Sequence, residues 1–80
     1  MANRPRLPSD LSGEDVRKIL ERLGMSFKRQ TGSHMILGRA DPPCRVVVPA
    51  HKTVRVGTLR TIISQAGLTV EAFLAARDGE

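Results

Sequence analysis

Residues 25–48 read MSFKRQTGSHMILGRADPPCRVVV, and this stretch decides the fold class. It contains three short segments rich in apolar or β-branched residues, which is typical of β-strands. The predicted strands are residues 25–30, 33–37 and 45–48. Thr31-Gly32 is the predicted first turn, since glycine tolerates the positive φ of hairpin turns. The proline-containing segment 39–44 is the predicted loop between the second and third strands. Short connections between consecutive strands indicate an antiparallel meander.

The first helix is predicted immediately before these strands. Ser12 is a typical N-cap residue, and Asp15, three positions on, resembles the second half of a capping box. Apolar residues then follow at the spacing of one buried helical stripe: Val16, Ile19, Leu20 and Leu23. Gly24 is the predicted C-terminal stop, because glycine commonly ends helices in a left-handed conformation.

Two further helices are predicted after the basic connecting segment 50–56. The apolar stripe of the longer one consists of Leu59, Ile62, Ile63 and Ala66. This helix is predicted to end at Gly67, and a short helix is predicted to begin after Thr69. The order helix, three strands, helix, short helix indicates an α+β fold. Both main helices are expected on one face of the three-stranded antiparallel sheet, which leaves the opposite face open to a ligand.

The length of 80 residues indicates one domain. We expect a flexible basic arm over residues 1–10, the folded domain over 11–76 and a polar tail over 77–80. Cys44 is the single cysteine, so no intrachain disulfide is expected, which fits a reducing compartment. No segment resembles a signal peptide or a membrane span. The chain is therefore expected to be cytoplasmic, without a membrane partner and monomeric when free.

Positive charge is concentrated in the middle of the chain. The whole chain has 13 Lys and Arg against 8 Asp and Glu. From residue 28 to residue 60 the single acidic residue is Asp41, whereas the basic residues are Lys28, Arg29, Arg39, Arg45, Lys52, Arg55 and Arg60. This asymmetry indicates a polyanion partner, although any one of these cations also suits a solvated surface. With two Phe and no Trp or Tyr, the chain lacks the aromatic rings of a base-stacking platform.

Four motifs identify a family resemblance. They are Gly32-Ser33-His34, Val48-Pro49-Ala50-His51, Gly57-Thr58-Leu59-Arg60 and Gln65-Ala66-Gly67-Leu68-Thr69. In order and spacing they resemble the HicA toxins, small mRNA interferases of bacterial toxin–antitoxin pairs, and the resemblance covers about residues 11–74. It implies a fold like the double-stranded-RNA-binding domain and ribosome-independent endoribonuclease activity with His34 as the catalytic residue. It also implies a HicB-like antitoxin that binds the toxin and covers His34.

A histidine at position 34 suits RNA cleavage for a chemical reason. RNA carries its own nucleophile, the 2′-hydroxyl group, so cleavage needs proton transfer and charge stabilisation without a metal ion. Imidazole groups exchange protons near neutral pH and commonly serve as general acids or bases. Taken alone, His34 is more readily interpreted as a half-buried strand histidine bonded to a carbonyl group. The resemblance favours catalysis.

Six other residues are expected to bind RNA: Gly32, Ser33, Lys28, Arg45, Lys52 and Arg55. Glycine allows a phosphate to approach the main chain closely, and the serine hydroxyl can bind a phosphate oxygen. Lys28 is preferred over Arg29 as the cation beside His34, because side chains alternate between the faces of a strand and cannot both point to one site. Lys52 and Arg55 precede the second main helix, whose N-terminus favours an anion.

His51 is a possible second acid or base, but a structural role, capping the strand end or holding the loop together, is the favoured interpretation. No metal or other cofactor is expected, since the spacing of His34, Cys44 and His51 matches no zinc pattern. Two alternatives to a ribonuclease remain open. The chain could be a non-catalytic double-stranded-RNA-binding module, or an interaction protein that is inactive outside its antitoxin complex.

Overall fold

The computed structural model describes residues 6–79; Glu80 and residues 1–5, which form half of the predicted arm, lie outside the described residues. The elements in chain order are α1 (Gly13–Arg22), β1 (Ser26–Thr31), β2 (His34–Ala40), β3 (Pro43–Pro49), α2 (Val56–Gln65) and α3 (Val70–Arg77). The three strands form one antiparallel sheet in the order β1-β2-β3. The predicted α+β class and element order are confirmed.

A complete capping box begins α1. The Asp15 N–H donates to the Ser12 hydroxyl oxygen, and the Ser12 N–H donates to the Asp15 carboxylate, each at 3.0 Å. These bonds satisfy two N–H groups that the first helical turn leaves without partners, and an N-cap side chain typically contributes about 1 kcal/mol. Hydrogen bonding with Ser12 holds the pKa of Asp15 below its ordinary value of 3.8. The larger effect comes from the Ser12 main chain and the smaller one from the Ser12 side chain.

The first hairpin turn is one residue later than predicted, and the second hairpin is tighter than predicted. The first turn consists of Gly32 and Ser33, because Thr31 pairs with His34, and Gly32 has a φ of 59°. The loop predicted over 39–44 is wrong: the ladder continues to the end of both strands and leaves Asp41 and Pro42, joined by a cis peptide bond, as the turn. Proline often marks a loop, but it is tolerated at a strand end where its missing N–H is not needed by the ladder.

The core lies between the sheet and the helices. Four sheet side chains are almost fully buried on this side: Met35, Leu37, Val46 and Val48. Both main helices pack against the sheet, and α3 packs against both of them. Leu7, within the predicted arm, is also buried in this core. None of the helices within residues 6–79 covers the opposite side of the sheet, and we call this side the open face.

A β-bulge interrupts β1. Phe27 pairs with Leu37 and Arg29 pairs with Ile36, so Lys28 is an extra residue in the ladder. Directly paired residues of an antiparallel sheet point to the same side. Phe27 therefore shares the core side with Leu37, and Arg29 shares the open face with Ile36.

Candidate active site

His34 begins β2 directly after the two-residue turn and pairs with Pro49 at the end of β3. The Ala50 N–H donates to the Ser33 carbonyl oxygen at 2.6 Å, which extends the pairing beyond the strand ends. The His34 side chain is exposed. This exposure is contrary to the interpretation of His34 as a half-buried strand histidine.

An open cavity of about 480 Å³ brings His34 together with His51 and Arg55. The other lining residues are small or apolar: Val47, Pro49, Thr53, Val54 and Thr58. The two imidazoles come together because the strand pairing carries the chain from Pro49 past His34 and on to His51. The cavity thus combines two groups able to transfer protons with one permanent positive charge.

The structural role considered for His51 belongs to its main chain. The Gly13 N–H at the start of α1 donates to the His51 carbonyl oxygen at 2.9 Å. A Cβ atom at position 13 would overlap the Pro49 carbonyl oxygen and lie 3.0 Å from the Ala50 Cα, so glycine is required for this close approach. The His51 imidazole itself is exposed and faces the cavity.

The N-terminus of α2 lies at the same cavity. Arg55 is its N-cap residue, its side chain makes no capping hydrogen bond, and the first turn of the helix contains no acidic residue. Thr58 in that turn also lines the cavity. The first N–H groups of a helix have no partners within it and carry a partial positive charge, so this end of the cavity favours a phosphate group.

The predicted cations on the strands lie elsewhere. Lys28 and Arg45 line a second open cavity of about 630 Å³, together with Arg29. Arg45 pairs with Gly38, four residues along β2 from His34, or about 13 Å at the usual rise of a strand. The expectation that Lys28 would accompany His34 is therefore wrong.

The expectation that Lys28 and Arg29 point to opposite faces is also wrong, because it relied on strict alternation. The bulge interrupts that alternation. Arg29 lies on the open face opposite Ile36, and the Lys28 side chain crosses Gly38, where its Cε is 3.3 Å from the position of a Cβ. Arg29 was ranked behind Lys28 because no sequence signal marked the bulge.

Three remaining predicted residues do not line either cavity: Gly32, Ser33 and Lys52. Gly32 and Ser33 form the exposed turn that precedes His34, and Lys52 is exposed next to His51. Thr58 was missed, since its proximity to His34 depends on how α2 packs beside β3.

Within residues 6–79, no three or more His, Cys, Asp or Glu side chains cluster in a way that could hold a metal ion. Over the same residues, the helices are too short or too polar to span a bilayer.

The protein-family comparison agrees with the motifs. A family model described as HicA toxin of bacterial toxin-antitoxin matches residues 13–68, which is more than half of the chain. No curated protein gives a significant match. The matched region begins at the first residue of α1 and includes all three strands, α2 and the cavity of His34. The chain therefore belongs to the HicA toxin family of bacterial toxin–antitoxin systems.

Proposed function

We propose that this toxin is an endoribonuclease that cleaves mRNA in the cytoplasm without a metal ion, with His34 transferring a proton. The observation that carries the proposal is the exposed His34 side chain, which shares one cavity with His51 and Arg55. A simple RNA-binding surface needs cations and hydrogen-bond donors, whereas two histidines that line one cavity suit proton transfer.

The reaction begins at the ribose. One imidazole takes the proton of the 2′-hydroxyl group, and the 2′-oxygen attacks the adjacent phosphorus. The bond from phosphorus to the 5′-oxygen breaks, and a second proton donor protonates that oxygen. The products are a 2′,3′-cyclic phosphate and a 5′-hydroxyl end. His34 and His51 can divide the two proton transfers between them.

Arg55 and the N-terminus of α2 support the phosphate during this reaction. Negative charge accumulates on the phosphate oxygens as the 2′-oxygen adds. Arg55 and the start of α2 border the same cavity, and a guanidinium charge and free helical N–H groups there favour that negative charge. Removal of one such preorganised donor typically lowers a rate constant by about 10²–10³-fold.

The partner follows from the family. A toxin of a toxin–antitoxin pair has a cognate antitoxin, and we propose a HicB-like protein that covers His34. An exposed catalytic side chain beside an uncovered sheet face is accessible to such a protein. A neighbouring open reading frame for a small protein with a DNA-binding region would support this pairing.

The test compares purified wild-type protein with His34→Ala on RNA in the presence of EDTA. We expect wild type to cut the RNA and leave 2′,3′-cyclic phosphate ends, and His34→Ala to lose cleavage and growth arrest. Circular dichroism and antitoxin binding should be unchanged in the variant, which separates catalysis from folding.

Two results would contradict the proposal. Wild-type protein that leaves RNA intact but retards RNA duplexes on a gel would indicate the non-catalytic double-stranded-RNA-binding module. Cleavage that EDTA abolishes and that returns with a divalent cation would contradict the metal-independent reaction.

A further inference from the structure

Lys28, Arg29 and Arg45 form a positively charged group on the open face, which we call the distal basic cluster. None of the three forms an ion pair with any residue from 6 to 79. Among the described residues that line their cavity, none is acidic. Like charges held close together repel one another, and a bound anion relieves that repulsion. The cluster therefore suits a negatively charged ligand.

Two neighbouring residues, Gly38 and Arg39, determine which cations the distal basic cluster contains. Gly38 has no side chain, so the Lys28 stem lies directly across the sheet at this position. Arg39 borders the same cavity, but its guanidinium donates to the Pro42 carbonyl oxygen at 2.9 Å and to the Ala66 carbonyl oxygen at 3.1 Å. Arg39 thus ties the second hairpin to the end of α2, while the three cluster residues remain available to a ligand.

Lys28 and Arg45 lie at the end of the open face away from His34, whereas Arg29, the pairing partner of Ile36, lies between that end and His34. About 13 Å of strand separates His34 from Gly38, which is the pairing partner of Arg45. Neighbouring phosphates of an RNA strand are too close together to bridge this distance. A strand with a phosphate at each site would leave a few nucleotides between them.

An apolar pair lies between His34 and the Gly38–Arg45 pair, and one of its members, Val47, also borders the His34 cavity. Ile36 and Val47 are paired on the open face, and Val47 is 45% exposed, the one large hydrophobic side chain so exposed among residues 6–79. The open face thus has cations on both sides of an apolar pair. This arrangement matches the chemistry of an unpaired RNA strand, in which phosphates alternate with accessible bases and riboses. In a duplex the base faces are stacked inside the helix and cannot contact such a pair.

We propose that the distal basic cluster binds a substrate phosphate a few nucleotides from the scissile bond, so that RNA crosses the open face as an unpaired strand. This inference rests on the proposed ribonuclease function, and it specifies in addition that the RNA substrate is unpaired where it crosses the open face. Without an aromatic ring at the apolar pair, the phosphate contacts supply most of the affinity.

The experiment measures binding of unpaired oligoribonucleotides of increasing length by fluorescence anisotropy, in the full-length His34→Ala protein so that no RNA is cut. The test variant adds Lys28→Gln and Arg45→Gln. The matched control adds Lys18→Gln and Arg60→Gln, which remove the same charge from exposed positions on α1 and α2. We expect the test variant to bind long oligonucleotides about tenfold more weakly than the control. The slope of log affinity against log salt should be shallower by ~0.7 for each lost phosphate contact. The loss should be smallest for a dinucleotide.

Three outcomes would overturn the inference while the ribonuclease stands. They are equal affinities of the test and control variants, a loss that does not depend on RNA length, or tighter binding of a blunt duplex than of the unpaired strand of the same sequence. A defect in antitoxin binding with RNA affinity unchanged would assign the cluster to the antitoxin instead. In an enzyme that retains His34, the test variant should raise KM more than it lowers kcat. Wild type that cleaves no RNA would contradict the proposed function itself.

Discussion

At the scale of single residues, Gly13 determines how closely α1 approaches the segment that carries His51. Its N–H binds the His51 carbonyl oxygen, and its missing side chain leaves room for the Pro49 carbonyl group. The sequence offered no reason to single out this glycine. Its importance arises from a contact with residues far along the chain. Gly24 and Gly67, by contrast, were predicted from their positions as helix stops, and both have the positive φ angle expected there.

Gly13→Ala is predicted to destabilise the protein by about 1–3 kcal/mol, since the added methyl group overlaps main-chain atoms that cannot move independently. Urea denaturation measures this change. Gly57→Ala is the control, because no atom lies within 4 Å of the position of its Cβ and alanine favours a helix by about 0.5–1 kcal/mol. Equal stabilities of the two variants would refute the close approach.

His51→Ala is predicted to lower the RNA cleavage rate by about 10²–10⁴-fold, the usual contribution of a general acid or base. Its side chain is exposed, so the free energy of unfolding should change little. Rate constants measured at saturating RNA separate this effect from a loss of binding. A rate within a few-fold of wild type would mean that the His51 side chain only borders the cavity.

At the scale of elements, α1 begins where the sequence placed it because its start depends on neighbouring residues. Ser12 and Asp15 bond each other across a single turn. The strand boundaries were less accurate, since the end of β2 depends on pairing with β3 and not on the residues of β2 alone. Local sequence signals therefore predicted the helix cap better than the extent of strand pairing.

The capping box predicts a pH dependence. The pKa of Asp15 is lower in the folded chain than its ordinary value of 3.8, so the charged carboxylate stabilises the fold. This contribution is fully present above that ordinary value and is lost as the pH falls through the lowered pKa. Unfolding measured between neutral pH and about pH 2 should show the stability difference between wild type and Asp15→Asn shrinking toward the acidic end.

Glu14→Gln provides the control for this measurement. Glu14 lies in the same helical turn but pairs with Arg17 instead of Ser12. The stability difference between wild type and Asp15→Asn should exceed that for Glu14→Gln at neutral pH. A constant difference between wild type and Asp15→Asn over the whole range would mean that the carboxylate does not contribute through its charge.

At the scale of the whole molecule, net charge and its arrangement determine how RNA approaches. The chain has a net charge of +5, and the open face has cations at both of its ends. Binding dominated by phosphate contacts releases counterions and weakens as salt is added. Surface cations distributed without such contacts produce a weaker response.

RNA affinity is predicted to fall steeply between about 50 and 200 mM salt. The measurement is a series of dissociation constants for the full-length His34→Ala protein, and the slope of log affinity against log salt estimates the number of phosphate contacts. The uncharged osmolyte sucrose, at matched osmolality, is the control for non-ionic effects. A flat response would mean that the positive middle of the chain serves another purpose.

The sequence by itself determined the element order, the helix caps, the fold class and the family, and it identified His34 as the residue to test. These properties depend on local spacing and on motifs that are read directly along the chain. The tertiary structure alone decided that His51 and Arg55 join His34 at one cavity. It also decided that Lys28 and Arg45, at the other end of the open face, share a second cavity with Arg29. The physical reason is strand register: one extra residue in β1 and the pairing of β2 with β3 set which side chains meet, and register results from contacts summed over the whole sheet.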